Sequence, residues 1–256
     1  MKELLLALPA GRETGGRSYG LTPAHMAYRI GPGSKLLGIR LPQGLRGGLM
    51  QVDCAGYDGV GDPVGCCRQI LGECRRRSFR GIVCDFEGPP TGYLPKLAEI
   101  LDRNCAAQGW ALYVPECYAP HASHARVLIP SALTHGTLDR RLCGALERYG
   151  KERTALAVEW VREEFPLPAR GRGEPMAQGR LEELLHRLEP AVFFDRGLCA
   201  HYFTYMKGPQ AHFVLFDTPR SIREKLGLAN RLGVAAALLP QPEVEEHLEE
   251  IFGPGA

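Results

Sequence analysis

The sequence lacks the features that define several large classes of protein. No apolar run approaches the length of a membrane-spanning helix, so we expect no membrane association. No Gly-x-Gly-x-x-Gly follows a first predicted strand and no P-loop is present, which argues against a nucleotide site. The net charge is only +2, which argues against nucleic acid as a partner.

The nine cysteines lack the spacing of a zinc site. Their number is odd, they are scattered, and no Cys-x-x-Cys pair occurs. His135, His201 and His212 have no partner at metal-binding spacing, and we predict neither a metal nor another cofactor. Scattered cysteines suit a reducing compartment. The apolar run Leu4–Leu8 is too short for a signal peptide and follows the acidic Glu3. We therefore expect a cytoplasmic protein with a strand at Leu4–Leu8.

Short apolar runs alternate with amphipathic segments from residue 49 onward. Strands are predicted at 49–53, 81–87, 111–115, 126–129, 154–158, 191–194, 213–216 and 234–239. The intervening segments predict helices at 62–77, 93–107, 138–149, 180–188, 221–232 and 243–251. This alternation is typical of a parallel sheet with helical crossovers, in a barrel or in an open doubly wound sheet. The length of 256 residues is typical of one (β/α)8 TIM-like barrel, so we predict a single barrel domain over residues 1–256.

Residues 1–48 fit this rhythm less well. The apolar runs Met26–Ile30 and Leu36–Leu41 are separated by Gly31-Pro32-Gly33-Ser34, which has the composition of a turn. The segment predicts an irregular N-terminal hairpin, either as an appendage or as the edge of an irregular barrel.

The strand Gly81–Glu87 ends in two carboxylates. Alternate residues of a strand share a face, so Val83, Asp85 and Glu87 lie on one side. Buried carboxylates are costly unless they are paired or used. The carboxyl ends of barrel strands are also where catalytic residues lie. We therefore predict that Asp85 and Glu87 are catalytic.

Polar residues end most of the other predicted strands. In a barrel they would converge on an acidic pocket with aromatic side chains at its rim, which suits a carbohydrate. The predicted substrate-binding residues are Tyr57, Glu116, Tyr118, Glu159, Trp160, Tyr202 and Asp217. An aspartate at a strand end also often caps the next helix, and this alternative stays open for Asp53 and Asp217.

Two stretches resemble glycoside hydrolase family 18, the chitinase-like TIM barrels. The family's fourth strand carries Asp-Gly-x-Asp-x-Asp-x-Glu, and Arg80–Glu87 matches it at Gly81, Asp85 and Glu87. Residues 216–225, Phe-Asp-Thr-Pro-Arg-Ser-Ile-Arg-Glu-Lys, resemble the family's seventh-strand sequence Tyr-Asp-Asp-x-x-Ser-Ile-x-x-Lys. The two matches lie in the family's order along the chain.

The resemblance implies substrate-assisted retaining hydrolysis of an N-acetylamino-sugar glycan. Glu87 would be the general acid that protonates the leaving oxygen. Asp85 would hold the N-acetyl group while its carbonyl oxygen attacks the anomeric carbon, so that no protein nucleophile is needed. Close like charges would raise the pKa of one of the two carboxylates.

The sequence departs from the family's pattern at several positions. Arg80 and Val83 replace its first two aspartates, and Leu239-Pro240 stands near its eighth-strand tryptophan. The sixth-strand Met-x-Tyr-Asp is absent, although Tyr118 or Tyr202 could substitute for its tyrosine. These changes point to another amino sugar than chitin, or to lost activity.

Two alternatives follow from the same residues. A retaining glycosidase could pair Glu87 with Glu116 or Glu159 as nucleophile, at a carboxyl separation of about 5 Å. An inactive barrel could instead bind a glycan or a protein partner. The sequence does not specify the oligomeric state.

Overall fold

In the computed structural model, eight parallel strands close into a barrel. The structure describes residues 1–12, 19–40, 42–133, 136–169, 171 and 173–254. With strands numbered along the chain, the barrel strands are β1 (Glu3–Pro9), β2 (Thr22–Ile30), β4 (Leu49–Asp53), β5 (Gly81–Asp85), β6 (Ala111–Pro115), β7 (Arg126–Pro130), β8 (Thr154–Ala157) and β14 (Ala236–Pro240). Strand β1 pairs in parallel with both β2 and β14, which closes the ring. The predicted (β/α)8 TIM-like fold is confirmed.

Helices cover the outside of this barrel. They are α1 (Pro63–Arg77), α2 (Leu94–Gln108), α3 (Leu138–Tyr149), α4 (Gln178–Leu188), α5 (Pro219–Leu232), α6 (Gln241–Val244) and α7 (Leu248–Phe252). Local chemistry sets the start of α1, since the Asp62 carboxylate accepts the backbone N–H groups of Val64 and Gly65 at 2.9 and 2.8 Å. No helix in the described part of the chain is long and apolar enough to cross a bilayer.

The barrel interior holds a cluster of buried side chains to which each strand contributes one residue. The cluster consists of Leu5, Ala24, Leu49, Val83, Tyr113, Leu128, Ala155 and Ala236. Side chains alternate along a strand, so a residue two positions further on also faces the interior, one layer closer to the carboxyl end of that strand. Asp85 therefore lies one layer above Val83, whereas Gln51 pairs with Val83 in the ladder of β4 and β5 and lies at its level.

The N-terminal segment contributes two barrel strands. The predicted hairpin exists, because β2 pairs antiparallel with β3 (Leu36–Gly38). Strand β2 is nevertheless part of the barrel, and its pairing with β4 shifts register between Met26 and Tyr28. The segment thus supplies β1 and β2 to the closed barrel, and the short β3 pairs with β2 outside the ring. The short run at residues 4–8 lies within β1, as the sequence predicts.

A second, antiparallel sheet is inserted between β8 and α5. Its order is β10 (Glu174–Pro175), β9 (Arg162–Pro166), β13 (Gln210–Phe216), β12 (Ala200–Lys207) and β11 (Phe193–Asp195). The prediction that runs 191–194 and 213–216 are parallel barrel strands is therefore wrong. Apolar content does not distinguish parallel from antiparallel pairing. The turn dipeptide Gly208-Pro209 between two apolar runs was the signal for a hairpin.

Candidate active site

Asp85 faces a cavity at the carboxyl ends of the first four barrel strands. It is the last residue of β5, and its interior orientation follows from the alternation that places Val83 in the layer below. The cavity has a volume of about 410 Å³. It is lined by Pro9, Ala10, Met26, Tyr28, Arg29, Ile39, Arg40, Gln51, Asp53 and Asp85. The cavity thus combines two carboxylates, two guanidinium groups and an amide.

The environment of Asp85 shifts the pKa of its carboxyl group upward. Burial is the main reason why its pKa is raised above the usual value, and the negative charges of Glu87 and Asp53 add to the effect. The Gln51 Nε2 atom donates a hydrogen bond of 2.9 Å to Oδ2 of Asp85, which acts in the opposite direction. The pKa of Asp85 is thus raised chiefly by burial, with a smaller contribution from the neighbouring negative charges.

Asp53 lies beside Asp85 on the neighbouring strand and is paired with Arg29. The guanidinium group donates to the two carboxylate oxygens over 2.6 and 3.1 Å. Asp53 Oδ1 also accepts the backbone N–H of Ala55 at 2.9 Å. The helix cap considered for Asp53 is supplied instead by Asp62.

Glu87 lies two residues beyond the end of β5 and is exposed. No hydrogen bond or ion pair to its carboxylate is found in the described part of the chain, and Arg80 does not neutralise it. Phe86, the residue before it, is buried in the core between the barrel and the helices. On its other side, Cys117 Sγ contacts the carbonyl oxygen of Gly88 at 3.5 Å. The neighbouring residues are therefore anchored while the Glu87 carboxylate remains accessible.

Tyr57 and Tyr118, two of the predicted substrate-binding residues, pack in the layer between the barrel and the helices. The Tyr57 hydroxyl accepts the backbone N–H of Tyr93 at 2.8 Å, and the two rings meet edge to face at 4.9 Å. Tyr118 is 0% exposed and packs edge to face on Phe86 at 5.4 Å. Burial raises the pKa of Tyr118 strongly. Neither residue lines the cavity of Asp85.

The two glutamates considered as alternative nucleophiles have different partners. Arg141 of α3 donates to both carboxylate oxygens of Glu116, one of them at 3.2 Å. Glu159 is exposed, and its Oε2 accepts the backbone N–H of Ala132 at 2.8 Å. The structure therefore gives Glu116 a salt bridge to an outer helix and leaves Glu159 near the surface after β8.

Trp160 lines a second groove, away from Asp85. This groove has a volume of about 630 Å³ and lies between α4 and the residues that follow β14. The indole ring of Trp160 stacks on the His247 imidazole, with 5.3 Å between centroids and 20° between planes.

Asp217 has a structural environment. It is 3% exposed, and Lys225 donates to it at 2.6 Å, Ser221 at 2.7 Å and the Val161 backbone N–H at 2.8 Å. The helix-cap alternative is also excluded, because Thr218 caps α5. Three donors thus hold the carboxylate in place, and Asp217 also lines the groove of Trp160.

Tyr202 belongs to the inserted sheet. Its ring stacks between Phe193 and Phe213, at centroid distances of 5.5 and 5.3 Å. The family-like segment 216–225 also starts in this sheet, at the end of β13, and continues into α5. It is therefore not a seventh barrel strand.

Gln51 and Arg29 are site residues that the sequence predictions missed. Both line the cavity and contact one of its carboxylates. The signal for Gln51 was an amide within the apolar strand 49–53, on the same face as Asp53. Within the described ranges, no group of three or more His, Cys, Asp or Glu side chains could hold a metal ion.

The fold and this strand-end pocket define the chain as a (β/α)8 barrel with a cavity lined by charged side chains at its carboxyl face. It matches no family model. Its fold is similar to that of a chitinase from Chromobacterium violaceum, at 16% identity and a TM-score of 0.67, covering 93% of each chain. The Bacillus cereus spore cortex-lytic enzyme SleL is 14% identical at a TM-score of 0.66, covering 98% of this chain and 74% of SleL. The group IV chitinase of Ostrinia furnacalis is 12% identical at a TM-score of 0.66, covering 100% of this chain and 96% of the chitinase. At these identities the similarity establishes the shared fold, and the function must be argued from the site.

Proposed function

We propose that this protein is a glycoside hydrolase that cleaves N-acetylamino-sugar glycans with retention of configuration. The observation that supports this most is the pair formed by Asp85 and Glu87. One carboxylate is partly buried and faces a cavity at the carboxyl end of a barrel strand, and the other is exposed and unpaired two residues later. The structurally similar chitinases make an amino-sugar glycan the first substrate class to test.

In the proposed reaction, Glu87 donates its proton to the glycosidic oxygen as the bond to the anomeric carbon breaks. The carbonyl oxygen of the substrate's N-acetyl group forms the new bond to that carbon from the opposite face, which gives an oxazolinium ion. The ionised Asp85 accepts a hydrogen bond from the N–H of the same group. Water then attacks the anomeric carbon as its bond to the oxazolinium oxygen breaks, which restores the N-acetyl group, and the water gives its proton to Glu87.

The test uses substitution of the proposed acid with a matched control. Glu87→Gln keeps size and polarity but cannot donate the proton, and we expect kcat to fall by about 10²- to 10⁴-fold. Glu147→Gln makes the same chemical change at an exposed position of α3 and should leave kcat unchanged. The substrates are reporter N-acetylglucosaminides, chito-oligosaccharides and peptidoglycan fragments. The proposal fails if the wild type turns over none of them, or if Glu87→Gln is as active as the wild type.

The second candidate function is a barrel that binds such a glycan without cleaving it. The apolar Val83 beneath Asp85 favours this alternative, because no acid there can exchange a proton with Asp85. Calorimetric binding of chito-oligosaccharides without turnover would identify this function. Loss of that binding in Asp85→Leu would assign it to the cavity.

A further inference from the structure

The amide of Gln51 is buried at the base of the proposed site. Gln51 is only 5% exposed and lines the cavity that Asp85 faces. Its Nε2 donates to Asp85 at 2.9 Å, whereas its Oε1 has no hydrogen-bond partner in the described part of the chain. This orientation of the amide is therefore satisfied on one side only. A buried acceptor without a partner costs about 1–3 kcal/mol.

Strand register explains why the contact to Asp85 comes from the neighbouring strand. Gln51 is paired with Val83, and Asp53 is paired with Asp85, in the parallel ladder of β4 and β5. Gln51 thus lies in the layer immediately below Asp85, beside an apolar residue that cannot form a hydrogen bond. Gln51 supplies the polar contact that Val83 cannot.

The charged groups around Asp85 have other partners or the wrong sign. The Arg29 guanidinium is paired with Asp53, which itself carries a like charge. Glu87, on the loop after β5, also carries a like charge. Arg40 lines the cavity, and within the described residues no hydrogen bond or ion pair joins it to Asp85.

Two weaker acids complete this environment. The Tyr28 hydroxyl donates to Glu73 at 2.9 Å and is therefore engaged away from Asp85. The Cys54 thiol follows β4, and burial raises its pKa, which keeps it neutral. Among the described side chains, the Gln51 amide is thus the group that donates a hydrogen bond to this carboxylate.

We infer that Gln51 is a positioning residue for Asp85, able to hold it in both protonation states. The NH2 group donates to the carboxylate. After a half-turn of the amide, Oε1 accepts the proton of the carboxylic acid, because the two ends of a glutamine amide have opposite hydrogen-bonding roles. The catalytic consequence rests on the proposed function, whereas the contact itself does not.

Removal of the Gln51 amide should shift the pKa of Asp85 in one direction. The hydrogen bond from Nε2 to the ionised carboxylate is charge-assisted and therefore stronger than the neutral bond that Oε1 would accept, so loss of the amide raises the pKa of Asp85 further. If Asp85 acts in its ionised form, the acidic limb of the kcat profile moves to higher pH by the same amount. We expect kcat at a fixed acidic pH to fall about ten- to a hundredfold.

The experiment compares Gln51→Met, Gln51→Glu and Gln241→Met. Methionine matches glutamine in length and removes the amide, while a protonated glutamate restores a hydrogen bond to Asp85 at low pH. Gln241→Met is the control, because Gln241, the first residue of α6, is another amide at 1% exposure whose Oε1 has no hydrogen-bond partner among the described residues. The pKa of Asp85 is measured by carboxyl ¹³C NMR, with assignment from Asp85→Asn, and kcat and KM are measured across pH.

The inference predicts a raised Asp85 pKa in Gln51→Met, a kcat effect larger than the KM effect, and partial recovery in Gln51→Glu at acidic pH. An unchanged Asp85 pKa in Gln51→Met, or an equal shift in Gln241→Met, overturns it. If Gln51→Met does not fold, the shorter Gln51→Asn replaces it, and an unchanged pKa overturns the inference equally. A shifted pKa in a protein that cleaves no glycan refutes the proposed function and leaves the positioning role intact.

Discussion

The buried ion pair between Lys225 and Asp217 allows a quantitative test of how the inserted sheet is held on the barrel. The two side chains are 1% and 0% exposed and lie 2.6 Å apart. Lys225→Met would leave the Asp217 carboxylate buried without its counter-ion. Removing one partner of such a pair costs about 3–5 kcal/mol. At roughly 2–4 °C per kcal/mol for a chain of this size, the melting temperature should fall by about 6–20 °C.

A double substitution separates the loss of a partner from the loss of the pair. In Asp217→Asn with Lys225→Met no charge remains buried, and the amide oxygen can still accept the Val161 N–H that now bonds to Asp217. The double variant should therefore regain most of the stability lost in Lys225→Met. Urea unfolding measures the free energy of each variant, with equal slopes as the condition for comparison.

A small effect would refute this reasoning. If Lys225→Met costs less than about 1 kcal/mol, the pair behaves like an exposed salt bridge. The Asp217 carboxylate would then be accessible to solvent and ligand, in agreement with the substrate-binding role that the sequence suggests. Ser221, which donates to Asp217 at 2.7 Å, would not by itself keep the carboxylate buried.

Two further predictions concern stability. Burial raises the pKa of Asp85 above the unfolded value near 3.8, so stability falls as pH rises from that value through the raised pKa. Asp85→Asn should therefore melt at a higher temperature than the wild type at pH 7. Calorimetry should show that this difference disappears below pH 3.8. An Asp85→Asn variant that is less stable than the wild type at pH 7 contradicts this prediction. Tyr57→Phe removes the acceptor of the Tyr93 N–H, and we expect a loss of about 1–3 kcal/mol in urea unfolding; no loss would mean that this contact is dispensable.

Much of the fold was predictable because its signals are local. The bounds of β4, β6 and α3 agree with the predictions from apolar runs and helix periodicity. The start of α1 follows from an aspartate followed by proline, which caps a helix and fits its first turn. The inserted sheet was not recognised, because pairing direction depends on which strands meet and not on their composition.

The candidate site was predictable only in part. The alternation of side chains along β5 orients Asp85 toward the interior in any barrel. Gln51 and Asp85 lie 34 residues apart in the sequence, on neighbouring strands, and no local pattern specifies their contact. The roles of Tyr57, Tyr118 and Tyr202 could not be assigned from the sequence, because an aromatic side chain packs equally well in a core or at the rim of a pocket.

The sequence by itself determined that short strands alternate with helices and that one strand ends in two acids. Only the tertiary structure decided which acids are available for chemistry. Arg141 pairs with Glu116 and Lys225 with Asp217, while the Glu87 carboxylate has no partner in the described part of the chain. The physical reason is that a carboxylate's role depends on its desolvation and its counter-charge. Both are set by residues that meet only when the chain has folded.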